Sequence, residues 1–251
     1  MTASNQYLAR ATFVASFALD REIRYKVGDI ERYFQSVLSA QAVGTNVADS
    51  APAPIPRFTL QSGPKQIAVS QVSAQLDMDF TEQVKTADKL FGIVEKNFGA
   101  FWDGVCKLKK LEDLKEIGMV LTVNTPQTAS KTMLSQELFD RYFKAPQIGE
   151  VASASFQVGY LDQKTNLFNN IAISPYEIRE GMISNEAGQP GMLSIEVEKL
   201  RIRETGIETK MDVNSKPMLA ARQPVTAELG QLMLKELRSL VASRGKEFLS
   251  W

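Results

Sequence analysis

The run AQLDMDFTEQ, residues 74–83, sets Asp77 and Asp79 two positions apart among Leu76, Met78 and Phe80. In a strand, positions two apart share a face, so both carboxylates project together while the apolar neighbours point to a core. Two carboxylates on one face can hold magnesium with help from water or phosphate. A second run, GIETKMD, carries Glu208-Thr209-Lys210, the Glu-x-Lys spacing of restriction-type nuclease cores, with Glu196 or Glu198 as an upstream acid. In that chemistry the acids hold magnesium and the lysine stabilises an attacking water. Both runs also read as ordinary structure. Alternating Asp is the wet half of an amphipathic strand. Alternating Glu and Lys keeps an edge strand from aggregating. No phosphate-cradling G-x-x-x-x-G-K-[ST] or G-x-G-x-x-G occurs. The expected catalytic set is therefore none. The alternative set is Asp77, Asp79, Glu196, Glu208 and Lys210, with Asp77 and Asp79 as magnesium ligands.

Composition narrows the chemistry further. The 251 residues contain no histidine and one cysteine, Cys106. Without imidazole there is no Ser-His-Asp or Cys-His catalysis, no His-ligated zinc and no 2-His-1-carboxylate iron. A single cysteine forms no intrachain disulfide and suits a reducing cytoplasm. Cys106 lies beside Lys107 and Lys109, which could lower its pKa; a small buried apolar role on a helix fits it better. Lys plus Arg equals Asp plus Glu at 29 each, so no global field draws nucleic acid or an anionic membrane. The basic stretches 106–116, 198–204 and 234–248 are interleaved with acids, as on solvated faces. The N-terminal MTASNQYLARATF lacks a basic stretch followed by a sufficient apolar one, so no signal peptide is expected. No apolar run reaches the roughly 18 residues of a membrane-spanning helix. A cytoplasmic location is the expectation.

The elements that must position these residues follow from periodicity. ARATFVASFAL, residues 9–19, alternates as a half-buried strand. VGDIERYFQSVLSAQAVG reads as a helix capped by Asp29 and ended by Gly44. The proline-rich 45–56 is a surface loop. RFTLQS, KQIAVSQ and AQLDMDF are strands, with Gly63-Pro64 as a turn. A long helix from about Glu82 to Lys107 carries the stripe Leu90, Phe91, Val94, Phe98, Phe101, Trp102 and Val105. The second half repeats the plan: a strand at 117–125, a helix at 130–144 started by Ser130 or Ser135, and strands in EVASASFQVGYL, TNLFNNIAIS, GMLSIEVEKLRI and IETKMDVN. A closing helix spans 225–250. The predicted class is α+β, with antiparallel sheets packed by long helices in two similar β-α-β-β-α halves, 1–115 and 116–251, forming one compact unit.

The layout of ATFVASFAL, RFTLQS…KQIAVSQ, IGMVLTVNT, LFDRYF and GKEFLS resembles a sporadically distributed family of bacterial and archaeal proteins of about this length, whose function is uncharacterised. The resemblance covers nearly the whole chain. It departs from the family's Arg- and Asn-rich central segment, where only Asn124 matches. It implies the fold and a bacterial cytosolic setting, and no chemistry.

Two classes of function stand against each other. The favoured expectation is a non-catalytic interaction or scaffold subunit of a cytosolic assembly, binding another protein or itself as a homo-oligomer, without a cofactor. The alternative is a magnesium-dependent carboxylate enzyme, of nuclease or nucleotidyl transferase type, acting on nucleic acid. The two separate on whether the acids converge in one concave site. A third reading is a small-molecule cavity lined by Phe98, Phe101 and Trp102.

Overall fold

The computed structural model of the protein describes residues 6–48, 50–80, 87–144, 146–181 and 200–241. The first half holds β1 (Tyr7–Phe17), α1 (Val27–Phe34), a short β2 (Val43–Gly44), β3 (Phe58–Ser62), β4 (Lys65–Val69), β5 (Ser73–Asp79) and α2 (Ala87–Leu108). The second holds β6 (Leu114–Gln127), α3 (Lys131–Tyr142), β7 (Phe156–Leu161), β8 (Phe168–Glu180), β9 (Arg201–Asn214), a short α4 (Lys216–Ala220) and α5 (Leu229–Ser239). Their strands form one antiparallel nine-stranded sheet in the order β2-β3-β4-β5-β1-β6-β9-β8-β7. This is the α+β class that the alternating patterns predict.

Each half traces the same path. A first strand leads through a helix to the sheet edge, and three strands meander back until the last lies beside the first. A second helix then follows, α2 in one half and α5 in the other. Three strands rather than two separate the helices of each half, apart from the two-residue β2. Both first strands are left with one edge unpaired, and an unpaired edge invites association. β1 and β6 close each other's edges by pairing over nearly their whole length, Phe13 opposite Met119.

The pleat sends alternate side chains to opposite faces. Ala11, Phe13, Ala15 and Phe17 of β1 point to one face, with Leu76 and Met78 of β5 and Met119 and Leu121 of β6 beside them. The helices cover this face. The Phe13 ring meets Phe98 at 5.1 Å, Phe101 at 5.0 Å and Trp102 at 6.4 Å, and Phe34 of α1 stacks on Phe101 at 5.2 Å. The stripe Phe98, Phe101 and Trp102 is therefore packed core, with all three side chains buried. Against the reading of a small-molecule cavity at these residues, their rings pack directly on Phe13 and Phe34 among the described residues.

Element ends differ from the predicted ones in local ways. Asp29 does not cap α1. The cap is Lys26, and Asp29 sits in the first turn, paired with Arg32 at 2.6 Å. Gly44 lies in β2, not at a helix end. Ser130 does cap α3, its Oγ accepting the Met133 N–H at 3.3 Å. The strand expected at 191–202 lies, up to residue 199, outside the described residues. So do residues 82–86 of the long helix and 242–250 of the closing one. Among the described residues no helix is long and apolar enough to cross a membrane.

Candidate functional site: the open face of the sheet

The face opposite the helices receives the other half of every strand. Arg10 and Thr12 of β1 stand there, flanked by Asp79 and Asp77 of β5. On the other side come Thr122 and Asn124 of β6, then Lys210 and Glu208 of β9. The register lines Asp79, Arg10, Thr122 and Lys210 in one row across four strands. Adjacent strands lie about 4.8 Å apart, so this row spans roughly 14 Å.

The two runs singled out in the sequence therefore meet on one face. Asp79, Glu208 and Lys210 line a single cleft of about 760 Å³, together with Tyr7, Asn124 and Tyr176. Asp77 shares the face but sits outside the cleft lining. Glu196 and Glu198 lie outside the described residues. Each acid is already engaged. Asp77 accepts from Thr12 Oγ1 at 2.7 Å on one oxygen and from Gln75 Nε2 at 2.6 Å on the other. Asp79 pairs with Arg10 Nε at 2.7 Å, which holds that guanidinium's pKa above its ordinary value. Glu208 pairs with Lys210 Nζ at 2.9 Å. Among the described residues no three acids or thiols stand close enough to hold a metal ion. Asp77 and Asp79 turn to separate partners on β1 rather than to a shared point.

A hydrogen-bonded group beside the cleft, anchored on two of its lining tyrosines, was not visible in any short run. Tyr7 and Tyr176 both donate their hydroxyls to Glu204 Oε1, each at 2.6 Å. Asn124 Nδ2 donates to the Tyr7 oxygen at 3.2 Å. Asn124 itself is 5% exposed, and its Oδ1 is buried with no hydrogen-bond partner. Burial, reinforced by the bond to Glu204, pushes both tyrosine hydroxyls above the ordinary phenol pKa. They stay protonated and can only donate to the carboxylate. The cross-strand partner of Tyr176 is Gly206. A Cβ there would come within 2.8 Å of the Tyr176 ring and 2.3 Å of the Thr125 carbonyl oxygen. Glycine in the middle of a strand is the one local signal for this site, because it marks a close approach of other atoms.

The far end of the same face is also acidic. Asp212 stands opposite Val120, and burial pushes its carboxyl up despite a hydrogen bond from Asn214 at 3.1 Å. Glu116, near it, pairs with Lys216 at 3.5 Å. On the helix side, Cys106 is half-buried, and burial raises its thiol to about 11. It is a thiol, not a thiolate, at neutral pH.

No family model matches the chain, no curated protein matches it, and no solved structure matches its fold.

Proposed function

We propose that this protein is a non-catalytic binding module, a subunit of a cytoplasmic assembly that takes a protein partner on the open face of its sheet. The observation that carries the reading is the asymmetry of that sheet. One face packs an aromatic core under helices. The other carries polar side chains and a cleft, and no described helix packs on it. Polar, half-buried surface of this kind, gathered from strands of both halves, suits a partner that needs a broad rigid platform. Asp77, Asp79 and Glu208 are already held by Thr12 and Gln75, by Arg10 and by Lys210, which favours recognition over metal-assisted hydrolysis. A second copy of the chain is the homotypic form of the same reading.

The test uses a photo-crosslinking residue placed at Gln66 or Gln157 on the open face, and at Asp103 or Glu137 on the helices. Crosslinks to one protein partner from the two sheet positions, and none from the helices, are expected. Crosslinks confined to the helices would overturn the reading. The convergence of Asp79, Glu208 and Lys210 keeps the enzymatic alternative specific enough to test beside it. Magnesium-dependent cleavage of nucleic acid, lost in Asp79→Asn and Glu208→Gln, would replace the binding reading with the catalytic one.

A further inference from the structure

The whole chain is neutral, but the open face is not. Its regular pleat positions carry Asp77, Asp79, Glu116, Glu204, Glu208 and Asp212 against Arg10 and Lys210. Lys216, just past β9, reaches back to Glu116, and Arg203 lines the rim of the cleft. Among the described residues an acid excess remains on a surface whose charges share one side of a sheet. Such a field attracts cations and repels phosphate.

A carboxylate beside the cleft adds a specific receptor to this field. Glu204 is held by two tyrosine hydroxyls on one oxygen and by no cation among the described residues. The other oxygen of that carboxylate keeps its acceptor capacity. Beside it, Asn124 lines the cleft but is almost wholly buried, its carbonyl oxygen covered and without a hydrogen-bond partner. A buried acceptor left unsatisfied is unfavourable, so a donor gains by reaching it once the amide turns toward the cleft. The rings of Tyr7, Tyr176 and Phe80 line the same cleft, and aromatic rings attract ammonium and guanidinium groups. Carboxylate, amide carbonyl and aromatic rings together are the surroundings that a lysine or arginine head group requires.

Resting on the binding reading above, we infer that the open face docks a basic, extended segment of its protein partner, with one lysine or arginine head group seated at the side of the cleft against Glu204, next to Asn124. The net acid excess of the described face holds the rest of the segment by charge along the sheet.

The experiment titrates the full chain into a fluorescein-labelled peptide of alternating glycine with lysine and arginine. Matched glycine–glutamate and glycine–serine peptides are controls, read by anisotropy at low and physiological salt. Only the basic peptide is expected to bind, several-fold more weakly at the higher salt. Glu204→Gln keeps an acceptor for both tyrosine hydroxyls and removes the charge, so it is expected to weaken binding about tenfold. The near-ultraviolet circular dichroism should be unchanged. Equal binding of all three peptides, or of none, overturns the inference. So does wild-type affinity in folded Glu204→Gln. Saturable spermidine binding with no peptide binding would assign the cleft to a free polyamine and overturn the peptide. If sheet-face crosslinks lead to a partner segment that is not basic, the binding module stands and this inference falls. If the crosslinks lie on the helices, both fall.

Discussion

Asp20 gathers three donors on one carboxylate. Its Oδ1 accepts the Glu22 N–H at 2.9 Å, and its Oδ2 accepts from Lys26 at 2.6 Å and from Lys109. The Lys109 side chain is only 7% exposed and lies over the Phe17 ring at 4.6 Å. Asp20→Asn would leave that ammonium buried without a counter-charge, and is expected to cost about 3 kcal/mol, read from the urea midpoint. Burial alone would raise the Asp20 pKa; the bonds from Lys109 and Lys26 outweigh it and hold the pKa below its ordinary value. A folded pKa below the unfolded one gives stability that is complete above about pH 4 and is lost as pH falls through the folded value. Urea midpoints measured down to pH 3 should therefore drop in the wild type, and the Asp20→Asn variant should lack this part of the drop. The pair Asp77 and Asp79 marks what is legible at this scale. Their shared face follows from a period of two, which is local. Their partners Thr12 and Arg10 stand 65 and 69 residues earlier, and no local rule reaches that far.

Helix packing turns the same substitution in opposite directions. Gly92 of α2 has nothing within 4 Å of where a Cβ would stand, whereas at Gly230 of α5 a Cβ would meet the Trp102 ring at 2.6 Å. Alanine exceeds glycine in helix propensity by about 1 kcal/mol. Gly92→Ala should gain up to that amount. At Gly230 the overpacking penalty of about 1–3 kcal/mol wins, so Gly230→Ala should lower the melting temperature and shift Trp102 emission to the red. The shift is read in a Trp251→Phe background, which removes the other tryptophan. Helix faces and strand types were largely legible in the sequence, because apolar spacing reports them. The end of α1 was not. Val37 and Leu38 are buried as their spacing requires, but the chain turns after Phe34, and both N–H groups bond to the Phe34 carbonyl. The Glu31 carboxylate then draws the chain back by accepting the Ala42 N–H at 2.7 Å. That is a contact across the turn, outside helical periodicity.

The seam between β1 and β6 joins the two halves into one sheet. Residues 1–113 expressed alone would expose the eleven-residue edge of β1 that β6 otherwise covers. This fragment is expected to self-associate or unfold, and co-expression with residues 114–251 to restore a monodisperse species, as checked by size exclusion and circular dichroism. At this scale the sequence by itself determined the α+β class, a repeated strand–helix–strands–helix plan and the polar face of the alternating strands β1 and β5. Composition also excluded imidazole chemistry before any fold was known. These properties depend on residue type and on periods of two and about 3.6, which act over a few residues. Tertiary structure alone decided that Tyr7, Asn124, Tyr176 and Glu204 meet, and that the acids of two distant strands share one cleft. Strand order and register bring these residues together, and both are set by which edges pair and which faces find a core. Those are choices of the whole chain, because the contact that settles each one lies half a sequence away.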